Sequence, residues 1–275
     1  MIDPLEAGLR RVAVTDRLLV ASDFDGTLAG IVDHPDDVVP DRAAVGALRT
    51  LAELPATWAA VVSGRSRAVL TEHLGHGHSG LALVGSHGAE IQGVEFGGVA
   101  LGDVDLGDVG TPEPVDDPEV VQRALDEAAV GLESLAAEYE GALVERKPTA
   151  VAFHYRQIEP SRRNAAAERA AALTDGSGLL RIQPGHMVVE LVGGQANKGN
   201  ALDTLRRAVG ATATVFVGDD LTDEHAFARL DAGDLAVKVG PEDTYAPVRI
   251  ASQADVAPLF RRLRALRAAR VTAAP

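Results

Sequence analysis

The sequence predicts an α/β protein in which a doubly wound parallel sheet is interrupted by an α+β segment. Two observations predict this fold class. Short apolar, β-branched runs alternate with longer segments of helical period near both ends of the 275-residue chain, a pattern typical of parallel sheets. Between them, helical segments are followed by paired strand-like runs, which indicates an antiparallel sheet packed on helices.

The first part of the chain carries the parallel pattern. Pro40 and Pro55 bound one of its helices, because proline starts helices readily and does not continue them. The strand–helix–strand order predicts neighbouring parallel strands. Strands are predicted over 18–22, 58–62 and 81–85, and helices over 41–54 and 66–74.

The middle of the chain has a different pattern. Residues 93–116 are rich in Gly, Asp and Pro, and we expect a linker or a loose edge there. Pro184-Gly185 is a turn signal between two strands. Helices are predicted over 118–140 and about 160–173, and strands over 142–146, 149–156, 179–183 and 187–192.

The parallel pattern returns after Gly193-Gly194. Helices are predicted over 198–209, 223–230 and about 252–270, and strands over 214–217 and 235–239. The predicted domains are therefore a core made of residues 1–92 and 193–275, with an α+β cap over 93–192 inserted between its halves.

Composition and charge exclude several classes of function. The chain has 40 acidic and 26 basic residues, a net charge of −14, which disfavours nucleic acid and anionic membranes as partners. It has no cysteine, so disulfides, thiolate catalysis and cysteine-bound metals are excluded. The N-terminus lacks the apolar segment of a signal peptide and the apolar runs are short, so we expect a soluble, cytoplasmic protein. The basic helix face at 261–270 is expected to be solvated or to contact acids.

Polar residues follow the predicted strands or begin helices at four places. A parallel sheet gathers such positions at the carboxyl ends of its strands. Helix capping explains Ser63 alone, a surface position explains Lys198 alone, and the helix dipole explains the acids at 219–224 alone. Their joint occurrence instead favours one site. The four clusters are Asp23 with Asp25, Ser63-Gly64-Arg65, Lys198, and Asp219-Asp220 with Asp223 and Glu224.

The residue types at these places predict phosphoryl transfer. Converging carboxylates repel one another unless a hard cation lies among them, and oxygen ligands suit Mg²⁺. A lysine and a serine hydroxyl bind phosphate oxygens. One aspartate can attack phosphorus while the other moves a proton. The EF-hand spacing is absent after Asp23, and GGQANKG lacks the Gly-Lys-Ser/Thr of a Walker loop.

The segments DFDGTL, VVSGRS, NKGNAL and VFVGDDLTDE resemble the four motifs of the haloacid dehalogenase superfamily. The resemblance implies a Rossmann-like core with Mg²⁺ at the strand ends. It implies that Asp23 is the nucleophile and a Mg²⁺ ligand, and that Asp25 is the general acid/base with its carbonyl as a ligand. Ser63 and Lys198 would bind the phosphoryl group. Asp219 would be the third ligand, with Asp223 acting through water.

The predicted cap strands alternate between an apolar and a polar face. Glu145 and Lys147 share one face, as do His154 with Arg156 and His186 with Glu190. Simple solvation explains a polar sheet face, but this mixture of acids, bases and imidazoles also suits a polyhydroxylated ligand.

Over nearly the whole chain, VERKPTAVAFHYR, GSHGAEI and GHMVVELV resemble the trehalose-6-phosphate phosphatases. The resemblance implies that a phosphosugar, trehalose 6-phosphate, is the substrate. By position, Glu145, Lys147 and Glu190 would contact sugar hydroxyls, while Arg65, His87 and Gly88 would line the entrance. Many relatives have a proline before the motif lysine, where this chain has Gly193-Gly194, so we expect a more flexible core–cap connection.

Two alternatives to this function remain open. Another sugar phosphatase of the superfamily would act on sucrose 6-phosphate, mannosyl-phosphoglycerate or glucosylglycerol phosphate. A non-catalytic partner of a trehalose-6-phosphate synthase is the alternative from another class, and the intact aspartates disfavour it. In that alternative, the synthase is the macromolecular partner.

Overall fold

A computed structural model gives the structure of the chain over residues 3–32, 34, 37–74, 80–91, 95–96, 99–100, 118–147, 149–174, 178–193 and 197–273. The chain divides into two compact units. The first is Met1–Leu106 with Asn197–Pro275, and the second is Gly107–Ala196. The predicted boundaries, after residues 92 and 192, precede the observed ones, which follow residues 106 and 196.

The secondary structure of both units follows the order that the sequence predicts. The helices are α1 (Pro4–Ala13), α2 (Arg42–Ala52), α3 (Arg67–Leu74), α4 (Pro118–Ala136), α5 (Arg163–Ala171), α6 (Lys198–Ala208), α7 (Glu224–Phe227) and α8 (Val256–Ala273). The strands are β1 (Leu18–Ser22), β2 (Thr57–Val62), β3 (Leu81–Val84), β4 (Glu95–Phe96), β5 (Val99–Ala100), β6 (Leu143–Lys147), β7 (Ala150–His154), β8 (Leu180–Gly185), β9 (Val188–Gly193), β10 (Ala213–Gly218), β11 (Leu235–Val239) and β12 (Val248–Ile250).

Six parallel strands form the central sheet of the first unit, in the order β12-β11-β10-β1-β2-β3. The strand order reverses between β1 and β10, and such a reversal opens a ligand-binding crevice at the carboxyl ends of the strands. Leu18 and Val20 pack into one apolar cluster and Leu19 and Ala21 into another. The alternation shows that helices cover both sheet faces, as a parallel sheet requires. The predicted fold class is confirmed.

The second unit is an antiparallel sheet, in the order β6-β7-β9-β8, packed on α4 and α5. Phe153 and Leu191 are fully buried in the apolar cluster on one sheet face. The register aligns Glu145 with Ala152, Ala152 with Glu190, and Glu190 with Gln183 across the other face. One apolar and one polar face therefore exist, as the alternation predicts.

Several elements differ from the predictions. The strands β4 and β5 pair within the predicted linker. Pro184-Gly185, predicted as a turn, ends β8, and the turn itself lies at residues 186–187. The helix α1 was not predicted, although Asp3 caps it and Pro4 stands at its first position. The strand β12 has three residues, too few for a pattern. The predicted helix over 223–230 is a 3₁₀ turn, Leu221–Asp223, followed by the four-residue α7. Most of the predicted linker and residues 194–196 lie outside the described residues, and within the described chain no helix is long and apolar enough to cross a membrane.

The basic face of α8 is only partly as predicted. Arg262 pairs with Glu6, and Arg270 with Asp16, as the expectation of acidic partners requires. Arg267 instead is 2% exposed. Its five donors bind the carbonyls of residues 13, 15, 16 and 56 and the hydroxyl of Thr57. Arg267 therefore anchors α8 to the chain segments before β1 and β2.

Replacing Arg267 by methionine is expected to lower the free energy of unfolding by roughly 3 kcal/mol, because several buried carbonyls lose their donor. Chemical denaturation of the wild type and the variant measures this change. Arg261→Met is the matched control, since Arg261 is exposed on the same helix, and its effect is expected to stay within about 0.5 kcal/mol. Equal stabilities of the two variants would contradict the anchoring role.

Candidate active site

Asp23 lies directly after β1, where the strand order reverses. Its N–H donates to the Val217 carbonyl on β10 at 2.9 Å, which extends the pairing of the two strands. The residue is 4% exposed. Oδ1 accepts a hydrogen bond from the Phe24 N–H at 2.7 Å and lies 2.8 Å from Nζ of Lys198. No described residue binds Oδ2, so this oxygen keeps its lone pairs for chemistry.

Lys198 is the first residue of α6 and joins two acids. Its Nζ lies 2.8 Å from Oδ1 of Asp23 and 2.7 Å from Oδ1 of Asp223. Asn197 fixes the start of the helix by accepting a hydrogen bond from the Asn200 N–H. Burial alone would lower the pKa of Lys198, but Asp223 and Asp23 raise it. Lys198 is therefore a permanent buried cation in this site.

Asp219 follows β10 and faces the turn after Asp23. The Thr27 hydroxyl donates to its Oδ1 at 3.0 Å. Gly26 has a φ of +75°, and a Cβ at this position would lie 1.9 Å from Oδ2 of Asp219. Both the backbone conformation and the close approach therefore require glycine. Burial, with repulsion from Asp223, raises the pKa of Asp219 to about 7.

The carboxylates of Asp23, Asp219 and Asp223 fit a hard divalent cation. Each offers an oxygen, and these oxygens lie within 4.8 Å of one another. Burial and repulsion from Asp223 also raise the pKa of Asp23, although Lys198 opposes the rise. Lys198 alone does not offset the three acids, and their all-oxygen donor set suits Mg²⁺. Asp223 fits a water-mediated role, because Lys198 and the Asp220 N–H already engage its two oxygens.

Asp25 forms an ion pair with Arg65. The guanidinium Nε lies 2.8 Å from Oδ2, and Nη2 lies 2.8 Å from Oδ1. In this pairing Asp25 accepts hydrogen bonds and has no proton to give. A proton-donor role therefore requires Asp25 to part from Arg65. Arg65 was predicted to line the substrate entrance. In the structure its guanidinium binds Asp25, and its Cζ lies 5.7 Å from the centre of the Phe24 ring.

Ser63 follows β2 and is buried. Its Oγ accepts a hydrogen bond from the Arg65 N–H at 3.1 Å, and its carbonyl accepts one from the His87 N–H at 2.9 Å. A Cβ on Gly64 would lie 2.5 Å from the His87 ring, and one on Gly88 would lie 2.8 Å from Cβ of Ala201. His87 and Gly88 thus pack against the Ser63-Gly64 loop and α6. His87 is buried and Gly88 is partly exposed, and their place at the substrate entrance stays a prediction.

The polar face of the second unit gathers the three predicted sugar contacts, Glu145, Lys147 and Glu190, together with His154. Nζ of Lys147 lies 2.7 Å from Oε1 of Glu190, and Nε2 of His154 lies 3.0 Å from Oε2 of Glu145. Burial would raise the pKa of Glu145, but His154 and Lys147 lower it, so this carboxylate is charged at neutral pH. Arg156 lies beyond the end of β7, where it donates to the His186 carbonyl.

Gln183 on β8 is a residue of this face that the sequence reasoning missed. It is 3% exposed and pairs across the sheet with Glu190. Its Oε1 accepts a hydrogen bond from Arg181 at 2.9 Å, while no described residue accepts one from its Nε2. A buried amide donor without a partner suits a ligand oxygen. The alternation of Arg181 and Gln183 with Leu180 and Ile182 was the available signal.

The model of the trehalose-phosphatase family matches residues 21–257. The chain belongs to the trehalose-phosphatase family. Membership makes it an enzyme of the phosphoric monoester hydrolase class, and the matched span includes the clusters after β1, β2 and β10.

Individual relatives agree with the family assignment. The trehalose-6-phosphate phosphatase of Escherichia coli (strain K12) is 35% identical over 239 residues, which are 85% of this chain and 82% of that protein. The trehalose-phosphate phosphatase of Mycobacterium ulcerans (strain Agy99) is 33% identical over 90% of this chain, which spans 61% of that longer protein. The C-terminal domain of C. albicans trehalose-6-phosphate phosphatase shares the fold, with a TM-score of 0.77, 23% identity, and coverage of 96% of this chain and 98% of that one.

Proposed function

We propose that the protein is a Mg²⁺-dependent phosphatase that hydrolyses trehalose 6-phosphate to trehalose and phosphate through an aspartyl-phosphate on Asp23. The observation that carries this proposal is the set of contacts that the Asp23 carboxylate makes at the point where the strand order reverses. The Phe24 N–H and Lys198 fix its Oδ1, while Oδ2 is unengaged among the described residues. A fixed carboxylate with one available oxygen suits nucleophilic attack on phosphorus.

The metal is assigned to the carboxylates of Asp23 and Asp219 and the carbonyl of Asp25, with Asp223 acting through water. Bound Mg²⁺ would neutralise phosphate charge and polarise the phosphoryl group. The raised pKa values of Asp23 and Asp219 support this assignment, because burial and repulsion from Asp223 outweigh the effect of Lys198 on these acids.

The residues of the site divide the reaction between them. Oδ2 of Asp23 attacks phosphorus, the bond from phosphorus to the sugar oxygen breaks, and Asp25 gives its proton to that oxygen. Water then attacks the phosphorus of the aspartyl-phosphate, Asp25 takes the proton, and phosphate leaves Asp23 as a carboxylate. Ser63 and Lys198 bind the phosphoryl oxygens. Asp25 is released from Arg65 before it carries the proton.

Recognition of the disaccharide is assigned to the polar face of the second unit. Glu145 and Glu190 accept hydrogen bonds from sugar hydroxyls, and Lys147 and the amide of Gln183 donate to sugar oxygens. The printed names of the E. coli and M. ulcerans relatives support trehalose 6-phosphate as the substrate. A cytoplasmic location and an association with a trehalose-6-phosphate synthase stay predictions.

The decisive experiment measures phosphate release from trehalose 6-phosphate beside glucose 6-phosphate, sucrose 6-phosphate, mannosyl-phosphoglycerate and glucosylglycerol phosphate, with and without Mg²⁺. We expect Mg²⁺-dependent release that is fastest with trehalose 6-phosphate. Faster release from another member of the panel would favour that sugar phosphate instead. Binding without release would favour the non-catalytic alternative.

Replacing Glu145 by alanine is expected to lower kcat/KM for trehalose 6-phosphate about 100-fold, because the bound sugar hydroxyls lose the acceptor that the site is built to provide. The rate with a small aryl phosphate is expected to change less than about threefold, because that substrate has no sugar hydroxyls. Steady-state kinetics with the two substrates measures the difference. Glu133→Ala is the matched control. Glu133 pairs with Arg146, which follows Glu145 in β6 and therefore lies on the opposite face of the sheet. An equal loss on both substrates would contradict the sugar contact.

A further inference from the structure

Lysine is used sparingly in this chain. Of its 26 basic residues, only Lys147, Lys198 and Lys238 are lysines. Lys147 and Lys198 lie in the sugar-binding face and the phosphate site proposed above. Lys238 has no role in the reaction described so far. Because arginine serves at all the other basic positions, a third lysine indicates a place where a compact ammonium is needed.

Lys238 occupies an unusual position in β11. All five residues of this strand are buried, and Lys238, which is 1% exposed, is the one charged residue among them. Burying an ammonium costs several kcal/mol unless hydrogen bonds compensate it. The register places Lys238 beside Gly218 of β10, one residue before Asp219. The lysine therefore stands next to the loop that carries the predicted metal ligand.

The ammonium of Lys238 makes three contacts. It donates to the main-chain carbonyl of Asp219, to the Val239 carbonyl at 2.8 Å, and to Oε2 of Glu242 at 3.1 Å. These contacts use its three N–H donors. A guanidinium is planar and larger, and its donors do not radiate from a single nitrogen as those of this ammonium do. The contact with Asp219 links a buried cation to the backbone of a proposed metal ligand.

We propose that Lys238 is a positioning residue of the active site, which fixes the backbone of Asp219 and so sets the affinity for Mg²⁺. The inference rests on the assignment of Asp219 as a metal ligand in the proposed function. Asp219 is then held twice. Lys238 binds its carbonyl, and the Thr27 hydroxyl binds its carboxylate. Groups that orient a metal ligand in this way act on affinity although they never touch the metal.

The test is the Mg²⁺ affinity of Lys238→Met, measured by isothermal titration calorimetry on the full chain after chelator treatment. Methionine keeps most of the apolar stem and removes the ammonium. We expect the dissociation constant for Mg²⁺ to rise about 10- to 100-fold, the range found when partners of metal ligands are removed. Should the methionine variant not fold, Lys238→Gln takes its place, because its amide is one bond shorter and loses the Asp219 carbonyl.

Two control variants separate positioning from general destabilisation. Glu242→Gln changes the exposed partner of Lys238 and leaves the Asp219 contact in place, so its Mg²⁺ affinity is expected to stay within about twofold of the wild type. Arg267→Met removes another buried cation of the same unit, outside the site. It is expected to lower stability while Mg²⁺ affinity is unchanged at a temperature where the variant is folded.

The outcomes distinguish this inference from the proposed function. A wild type that binds no Mg²⁺, or an Asp219→Asn variant that binds it equally well, overturns the metal assignment and the inference with it. Binding that is lost in Asp219→Asn but unchanged in Lys238→Met overturns the inference alone. An equal loss in Arg267→Met and Lys238→Met also overturns it, because affinity would then follow stability.

Discussion

Replacing Asp23 by asparagine is expected to lower Mg²⁺-dependent phosphate release by at least about 10⁴-fold, since the variant has no carboxylate to attack phosphorus. The loss is expected to be equally large for trehalose 6-phosphate and for a small aryl phosphate. Both substrates would pass through the same aspartyl-phosphate, whereas sugar recognition belongs to other residues. Measuring kcat for both substrates at saturating Mg²⁺ tests this expectation.

The same variant is expected to remain folded, which separates lost chemistry from lost structure. Burial and the neighbouring Asp223 raise the pKa of Asp23, so its charged form is unfavourable in the folded protein. Asparagine has nearly the same shape and carries no charge. The melting temperature without Mg²⁺ at about pH 8 is therefore expected to be unchanged or higher.

Asp41→Asn is a suitable control for the loss of a carboxylate. Asp41 caps α2 by accepting hydrogen bonds from the N–H groups of Ala43 and Ala44, and asparagine caps helices equally well. Its activity is expected to stay within about twofold of the wild type. Activity of Asp23→Asn close to the wild-type value would remove Asp23 as the nucleophile.

The parts of the fold and site that the sequence predicts are those with a local signal. Asp23 follows an unbroken apolar run, and Asp219 follows another, so both strands and their order could be predicted from pattern and position alone. The parity of Glu145 and Lys147 likewise placed them on one sheet face. In each case the residue type and the period of its neighbours indicate the same structure.

The residues that the sequence reasoning missed depend on contacts between distant segments. Arg267 looks like any other arginine of a basic helix, and only its contacts with the carbonyls of residues 13, 15, 16 and 56 make it a buried anchor. Lys238 interrupts an apolar strand, and its partner is a backbone oxygen at the end of the neighbouring strand. Hydrogen bonds to main-chain carbonyls leave no trace in the partner's side chain, so sequence patterns do not report them.

Lys198→Met is expected to be the most destabilising substitution in the active site at neutral pH. Lys198 lies within 2.8 Å of both Asp23 and Asp223 and is buried with them. Removing one partner of a buried ion pair leaves uncompensated charge and costs roughly 3 to 5 kcal/mol. Phosphate release is also expected to fall by about 10³-fold, since the phosphoryl group loses its buried cation.

The destabilisation of Lys198→Met should depend on pH in a defined direction. A carboxyl whose pKa is higher in the folded protein than its unfolded value near 3.8 stabilises the fold most at low pH, and that contribution is lost as the pH rises through the folded pKa. Lys198 lowers the pKa of Asp23, so replacing Lys198 raises that pKa further. The variant then loses more stability than the wild type as Asp23 ionises, and it does so at a higher pH. The deficit in stability relative to the wild type is therefore expected to be small near about pH 5 and large near about pH 8.

Thermal unfolding at both pH values, with and without Mg²⁺, tests the charge argument. Mg²⁺ is expected to restore part of the stability of Lys198→Met at the higher pH, because a divalent cation among the acids replaces the lost positive charge. Lys147→Met is the matched control. It removes a lysine from a carboxylate pair in the other unit, and Mg²⁺ is expected to rescue none of its loss. A deficit of Lys198→Met that is the same at both pH values, and that Mg²⁺ leaves unchanged, would show that Lys198 acts through packing and not through its charge.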